Sequence, residues 1–239
     1  MKAPLTSTAI YNHDFRLRKL IQNRHYRLVQ PTLPFLPTSK ERLRSKLGHC
    51  SPALRDAFLT ALDCAVRSNP SSTVDSDGSL LQRMKQVFEL ISVFQYEPSG
   101  NKSATENLVY LQVLILIILA TDNIGPAAIR FDAGPSRAEW LGRAVGMITH
   151  LKLNSISARE KFVGTDEDTD DKLGRRVYWS IFILDRWHAA SISGLFQLPE
   201  HCSTLVAEDE VALGDIPYQL ARMYQEAIQG MISYMANFS

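Results

Sequence analysis

The acidic run at residues 166–171 (Asp-Glu-Asp-Thr-Asp-Asp) carries the side chains that bind divalent cations. As a calcium loop it has acids at alternate positions, but its sixth position is Asp171 rather than glycine and its twelfth is Val177 rather than glutamate. The calcium interpretation therefore fails. We expect a solvated acidic loop, whose last acids, Asp170 and Asp171, favour the start of a following helix. We also expect the Glu-Asp-Glu sequence at 208–210 to be a solvated acidic loop.

An Asp-Glu-x-x-Asp spacing within the first run also matches a magnesium–diphosphate motif. In an all-α, terpene-synthase-like enzyme such carboxylates project from a helix wall into an apolar cavity, where the metal bridges the substrate phosphates. The preceding Phe-Val-Gly-Thr segment has no long helical pattern. We therefore expect a loop, and the magnesium-dependent enzyme stays the alternative function.

The six histidines and three cysteines are spaced too widely to predict a metal or redox site. No His-x-x-x-His pair occurs, and His49 beside Cys50 supplies only two ligands. Cys50, Cys64 and Cys202 form no Cys-x-x-Cys pair, which favours a reducing compartment with the thiols as small core residues. The sequence also lacks a Gly-x-Ser-x-Gly elbow and a Gly-x-x-x-x-Gly-Lys phosphate loop. We expect neither catalysis nor a cofactor held by this chain.

Charged side chains bracket a very apolar segment at residues 177–184 (Val-Tyr-Trp-Ser-Ile-Phe-Ile-Leu). Arg175 and Arg176 precede this segment, and Asp185 and Arg186 follow it. Charges beside a buried helix must be paired or reach water, so we expect an ion-pair network that ties the helix to its neighbours. A ligand-sensing or partner-gripping site is the functional alternative.

Smaller expectations concern the neighbours of this segment. Asp185 and His188 are three residues apart and can meet on one helix face. Arg186 is adjacent to Asp185 and points elsewhere, so we expect its partner on another element. Tryptophans can line a ligand pocket, but here we expect core anchors whose ring N–H finds one partner: Trp140, Trp179 and Trp187.

Hydrophobic periodicity and capping residues predict the helices that position these side chains. A first helix is expected at 15–29, followed by an extended connector with prolines at 31, 34 and 37. Ser51 and Pro52 predict the next helix start, and Ser136 with Glu139 predicts a capping box that opens a helix reaching Leu151. The other predicted helices span 80–96, 104–123, about 172–192 and 216–238, with loops at 69–79 and 155–171 and a mixed connector at 199–215.

No segment alternates as a strand does, so the sequence predicts an all-α, multi-helix bundle around a central buried helix at about 172–192. We expect one helical domain over residues 1–239. The most apolar run, 108–120, is shorter than the roughly 20 residues that a bilayer needs, which predicts a buried helix and no membrane contact. Positions 1–48 hold ten basic and two acidic residues, so a basic patch can face an acidic partner, although solvated helix faces are the simpler expectation.

Three segments, in this order and spacing, resemble the regulatory (middle homology) region of fungal transcription factors that carry a six-cysteine binuclear zinc cluster. Residues 29–36 (Val-Gln-Pro-Thr-Leu-Pro-Phe-Leu) are similar to the family's proline-spaced turn, with Gln30 where the family often has histidine. Residues 138–153 resemble its Trp-containing helix, with Lys152 where the family usually has a glycine that ends the helix. Residues 175–186 (Arg-Arg-Val-Tyr-Trp-Ser-Ile-Phe-Ile-Leu-Asp-Arg) match most closely. The resemblance covers about residues 15–230, and residues 187–220 are also similar to the glucose-transport repressor branch.

This resemblance implies a non-enzymatic regulatory domain that controls DNA-templated transcription in the nucleus through protein partners, self-association or a small-molecule effector. The family's zinc ions lie in two cysteine triplets, which three isolated cysteines do not build. DNA contact is therefore expected only through a zinc-cluster region missing from this sequence, as in a fragment of a longer regulator. A stand-alone interaction module is a further alternative. The structural signature is expected to comprise Arg175, Arg176, Trp179, Asp185, Arg186 and Trp140.

We accordingly predict that this chain does not bind duplex DNA sequence-selectively. Titration of an operator-type duplex and of a scrambled duplex of equal length, at one stated salt concentration, should give equal affinities. The scrambled duplex is the control, because phosphate contacts alone bind both duplexes equally. A reproducible preference for one defined duplex would overturn this expectation.

Overall fold

The computed structural model describes residues 29–71, 79–97, 102–125, 134–155, 168–199 and 203–236. These residues form eight α-helices and a 3-10 turn at Leu153–Ser155, and no strand is found among them. The prediction of an all-α fold is confirmed. The helices are α1 (Lys40–Gly48), α2 (Pro52–Ser68), α3 (Leu80–Tyr96), α4 (Ala104–Ile124), α5 (Arg137–His150), α6 (Asp170–Ile192), α7 (Ala207–Leu213) and α8 (Asp215–Ala236).

α2 and α5 begin at the capping residues predicted from the sequence. Ser51 accepts a hydrogen bond from the N–H of Leu54, and Pro52 is the first residue of α2. α4 and α6 begin and end within two residues of the predicted positions. The predicted helix at 15–29 lies, apart from Val29, outside the described residues.

Two short helices, α1 and α7, were not predicted. α1 buries only Leu43 and Leu47, so its apolar residues are too few to show a helical periodicity in the sequence. α7 lies within the predicted mixed connector and buries only Asp209 and Leu213. Both helices are held by tertiary contacts rather than by a long amphipathic face.

The end of α5 also differs from what the sequence indicates. α5 ends at His150, and Lys152 takes a φ of +53°, the left-handed conformation that usually belongs to glycine. The chain therefore turns sharply at this position although the residue is a lysine. The following 3-10 turn contacts α6, which provides the tertiary packing that holds the turn.

Two helices, rather than one, form the centre of the bundle. α4 packs against α2, α5 and α6, and α6 packs against α4, α5 and α8. Trp179 and Phe182 of α6 are 0% and 1% exposed, as expected for a helix surrounded by others. α4 is long and apolar enough to cross a membrane by length and composition alone, but 72% of its most apolar 18-residue window is buried in this bundle.

The proline-spaced connector at 29–38 belongs to the core, because Leu33, Phe35 and Leu36 are buried. Gln112, a fully buried polar residue in α4, donates a hydrogen bond from Nε2 to the carbonyl oxygen of Phe35 over 2.8 Å. A connector with few backbone partners of its own is thus fastened to the central helix α4. This arrangement places residues 30–38 beside the start of α6.

Ser136→Ala should lower the free energy of unfolding by about 1 kcal/mol. Ser136 Oγ accepts from the N–H of Glu139, and Glu139 Oε2 accepts from the N–H of Ser136, so the predicted capping box at α5 is confirmed. Urea denaturation followed by circular dichroism measures the change. Ser136→Asp is the matched control, because aspartate also caps and should restore most of the loss. Equal losses in both variants would show that the cap is not the cause.

Candidate functional site

The first arginine of the charged set, Arg175, fastens the segment after residue 202 to α6. Its Nε and one Nη donate to the two carboxylate oxygens of Asp209 over 2.7 and 2.6 Å. The guanidinium also donates to the hydroxyl of Ser203 and to the carbonyl oxygen of Thr204. The side chains of Arg175 and Asp209 are 2% and 0% exposed, so this is a buried bidentate pair whose hydrogen-bonding groups are largely satisfied.

The second arginine, Arg176, fastens a different segment. An Nη atom donates to Asp168 over 2.7 Å, and Asp168 in turn accepts from the backbone N–H of Thr38 (2.9 Å) and from its hydroxyl (2.8 Å). This chain of contacts joins the connector at 29–38 to α6. Adjacent arginines on one helix therefore hold two segments that lie more than 160 residues apart in the sequence.

The interpretation of the two acidic runs as solvated loops is wrong for their central residues. Asp168 is 3% exposed and Asp209 is 0% exposed. Each faces a buried arginine of α6, and neither pairing is visible in the sequence because charge runs report composition, not the direction of a side chain. Asp170 and Asp171 do lie in the first turn of α6 as expected, and Asp170 pairs with Lys46 of α1.

At the other end of the apolar segment, Asp185 and Arg186 together bind the backbone at residues 197–198. The carboxylate of Asp185 accepts from the N–H groups of Gln197 and Leu198, both over 3.1 Å. Arg186 donates through both Nη atoms to the carbonyl oxygen of Leu198 over 3.2 and 3.1 Å. The expectation that Arg186 avoids Asp185 is wrong, because its Nη1 lies 2.5 Å from the Asp185 carboxylate. Both side chains bend toward the same backbone segment, which brings neighbouring residues together.

Aromatic rings complete the surroundings of Arg186. Its guanidinium lies 4.3 Å from the ring centre of Phe182 and 4.1 Å from that of Phe196, so it is held between two faces. Trp179 makes edge contacts with Tyr178 and Phe182, each at 5.1 Å between ring centres. Trp179 is a core anchor as predicted, but its buried ring N–H has no hydrogen-bond partner among the described residues, which corrects that part of the expectation.

Trp140 and His188 lie on the flank of this arrangement. Trp140 is 2% exposed and contacts the ring of Phe88 edge-on at 6.1 Å. His188 is buried, but neither of its ring nitrogens has a hydrogen-bond partner among the described residues, so the expected contact with Asp185 is not a hydrogen bond. Burial, and then the charge of Arg137, lowers the pKa of His188, which favours the neutral ring.

A cleft of about 400 Å³ opens where the two arginine-held segments meet α6. The connector at 30–38 forms one side, the first turns of α6 form the base, and α7 forms the other side. The sequence does not reveal this cleft, because its three walls come from distant segments. It is lined by Gln30, Pro34, Thr38, Lys172, Arg176, Glu208 and residues 211–214.

Metal-binding groups were sought within the described ranges, and no cluster of three or more His, Cys, Asp or Glu residues is found there. Cys50 and Cys64 are buried free thiols, and burial raises the pKa of each to about 12, so both are held as unreactive thiols. Cys202 lies outside the described residues. Of the three carboxylates in the Asp-Glu-x-x-Asp spacing, Asp166 and Glu167 lie outside the described residues, and Asp170 pairs with Lys46.

Comparison with known proteins gives a match over most of this architecture. The family model described as "Fungal specific transcription factor domain" matches residues 35–218. The chain belongs to this family. An uncharacterized transcriptional regulatory protein of Schizosaccharomyces pombe is 31% identical to this chain over 202 residues. These residues are 84% of this chain and 23% of that relative. No solved structure gives a significant match.

The matched range of the fungal specific transcription factor domain runs from the connector to the first turn of α8. It contains the buried pairs at both ends of the apolar segment of α6 and all walls of the cleft except Gln30 and Pro34. The chain spans about a quarter of the relative's length. The narrower resemblance to the glucose-transport repressor branch stays a prediction.

Asp168→Asn should destabilise the domain in a pH-dependent way. Burial raises the pKa of Asp168, but hydrogen bonds from Thr38 and Arg176 together lower it more, so its net pKa is below the ordinary value. Its carboxylate therefore contributes stability above its unfolded pKa of about 3.9, and this contribution is lost as pH falls through the lower folded-state value. The loss in the variant should be about 1.5–3 kcal/mol near neutral pH and should shrink in acid.

Urea denaturation at a series of pH values measures the loss caused by Asp168→Asn. Asp215→Asn, at an exposed carboxyl, is the control for the removal of one negative charge. A loss for Asp168→Asn that is the same in acid and at neutral pH would show that the charge of Asp168 is not what stabilises the fold.

Proposed function

We propose that this chain is the regulatory domain of a nuclear transcription regulator of the fungal zinc-cluster type, and that it acts without catalysis. The single observation that carries this proposal is the family match over residues 35–218. The similarity to a transcriptional regulatory protein over 84% of the chain supports it independently. In this proposal a zinc-cluster region of the whole regulator contacts DNA, and these 239 residues control its effect on transcription through contacts with other proteins.

Protein contact is the proposed mode of action, and the surface around α6 to α8 supports it. Large apolar side chains are exposed at and just after the end of α6 and on α7 and α8: Ile192 (60%), Leu195 (93%), Val211 (89%), Ile216 (54%) and Met223 (52%). Such side chains are typical of surfaces that bind other proteins or a second copy. The buried pair of Arg175 with Asp209 holds α7, which presents Val211, in a defined position against α6.

The magnesium-dependent enzyme is not favoured. Its motif needs carboxylates that face a substrate cavity, whereas Asp170, the last carboxylate of the motif, pairs with Lys46. The family match also supports a regulatory rather than a catalytic role.

A reporter assay tests the proposed function. Residues 1–239 are fused to a heterologous DNA-binding domain and expressed in a fungal cell that carries a reporter with the matching operator. We expect reporter output to change severalfold, up or down, relative to the DNA-binding domain alone. Glu210→Ala is a surface control that should keep the effect, and Asp209→Ala should lose it with the fold. Unchanged output from a fusion shown to be folded and nuclear contradicts the proposal.

A further inference from the structure

Helix α8 has two apolar faces, and only one of them packs on the domain. The face toward the core is buried or half-buried and comprises Pro217, Ala221 and Tyr224. The other face carries apolar and small residues at alternating spacings of four and three, which we name the α8 seam: Ile216, Leu220, Met223, Ala227 and Gly230. A repeat of this kind is what two helices need to keep apolar residues in contact along their length.

The α8 seam lies open to solvent. Ile216 and Met223 are both more than half exposed, although they are the large side chains of this face. Ala227 and Gly230 are exposed too, and a Cβ atom at Gly230 would meet no described atom within 4 Å. Large side chains therefore occupy the first half of the seam and small residues the second half, with open space above the small residues.

One border of the α8 seam carries a pair of opposite charges that solvent reaches. Arg222 donates from Nε to Oε1 of Glu226 over 2.7 Å, and the two side chains are 55% and 61% exposed. This bond uses one donor of the guanidinium and one oxygen of the carboxylate, so both groups have capacity for a further partner. An exposed pair four residues apart stabilises a helix by only about 0.3–0.5 kcal/mol, and its contacts are easily rearranged.

We propose that the α8 seam binds the α8 seam of a second copy of this chain, with the two helices antiparallel about a two-fold axis near residues 224–225. In this arrangement Met223 of one copy lies opposite Ala227 of the other, and Leu220 lies opposite Gly230. The large side chains of each copy fill the open space above the small residues of the other. The interface is isologous, so both copies use the same residues.

The charges at the border of the seam favour a second copy in this orientation. Reversal of the helix direction exchanges the positions of Arg222 and Glu226, so each arginine lies beside the glutamate of the other copy. A parallel arrangement would place Arg222 beside Arg222 and Glu226 beside Glu226, which is unfavourable. The net charge of the whole chain is only +1, so two copies do not repel each other strongly.

The size of the contact sets the expected affinity. The 22 residues of α8 span about 33 Å, and one pair of helices of that length buries less than the roughly 1,600 Å² of a standard interface. We therefore expect a reversible dimer with a Kd of about 1–100 μM. The use of this dimer in regulation rests on the proposed function, whereas self-association itself is measured on the isolated chain.

Sedimentation velocity of the folded 239-residue chain at a series of concentrations tests the proposal. We expect the mass to rise from monomer to dimer, and Met223→Glu to weaken the dimer at least tenfold. Val93→Glu is the matched control, because Val93 is an equally exposed apolar residue on α3, away from the seam, and its Kd should stay within twofold of wild type. A chain that remains monomeric up to about 500 μM overturns the proposal, and so do equal effects of the two substitutions.

Charge exchange at the same border tests the antiparallel orientation. Arg222→Glu and Glu226→Arg each place like charges together, and each alone should weaken the dimer at least fivefold. The double variant Arg222→Glu with Glu226→Arg restores opposite charges between antiparallel copies, so its Kd should return to within twofold of wild type. Single variants that dimerise as well as wild type would show that these side chains do not face the other copy. If the chain stays monomeric while the reporter fusion remains active, the partner is wrong and the proposed function stands.

Discussion

Asp209→Ala is expected to lower the free energy of unfolding by about 3–5 kcal/mol, the largest effect of any substitution considered. The variant leaves the guanidinium of Arg175, 2% exposed, without its bidentate carboxylate. It also removes the acceptor for the N–H of Val206 at the start of α7. Urea denaturation followed by circular dichroism measures the change. Glu210→Ala, one position along the same helix and exposed, should stay within about 0.5 kcal/mol of wild type.

Replacing both partners separates the value of this pair from the cost of leaving one charge behind. Arg175→Met together with Asp209→Leu replaces both charges by apolar side chains of similar length, and it should regain most of the stability that Asp209→Ala loses. If the double variant is as unstable as the single one, the ion pair itself, rather than an uncompensated buried charge, stabilises the domain.

Asp185→Ala is expected to destabilise the fold by about 2–4 kcal/mol. The loss leaves Arg186, whose side chain is fully buried, without its carboxylate, and leaves the N–H groups of Gln197 and Leu198 without an acceptor. Arg186 retains the carbonyl oxygen of Leu198 and its two aromatic neighbours, which limits the damage. The midpoint of urea denaturation reports the change.

Asp185→Asn tests the source of this effect. Asparagine keeps an oxygen acceptor for one backbone N–H but carries no charge for Arg186, so it should lie between wild type and Asp185→Ala. An unchanged midpoint in Asp185→Ala would show that Asp185 is exposed in solution and that the contact with residues 197–198 does not form.

These expected losses give the charged residues of α6 a specific structural role. A helix buried by its aromatic and aliphatic face would hold other helices through apolar contact alone. The connectors bury apolar side chains such as Leu33, Phe35 and Leu198, and the charged residues of α6 add backbone and carboxylate hydrogen bonds to them. The positions of the connector at 29–38, of α7 and of residues 197–198 therefore depend on charge pairing as well as on apolar packing.

The sequence was sufficient to predict the helices that are marked by local capping residues and apolar runs. Ser51 with Pro52 marks the start of α2, and Ser136 with Glu139 marks the start of α5, because capping is a contact between residues three positions apart. Long apolar runs likewise identify α4 and α6 as buried helices, since a helix without a polar face needs neighbours on every side. The need for ion pairs at the ends of residues 177–184 follows from the cost of burying an unpaired charge.

The tertiary structure alone determined which partners meet. Asp168 and Asp209 have the sequence surroundings of solvated acids and become the buried partners of Arg176 and Arg175, because the fold brings residues 8 and 34 positions apart into contact. The left-handed turn at Lys152 and the cleft between residues 30–38, α6 and α7 have the same origin. Local sequence sets backbone propensity and the polarity of each face, whereas long-range contacts depend on how every helix packs at once, and no short window of sequence contains that information.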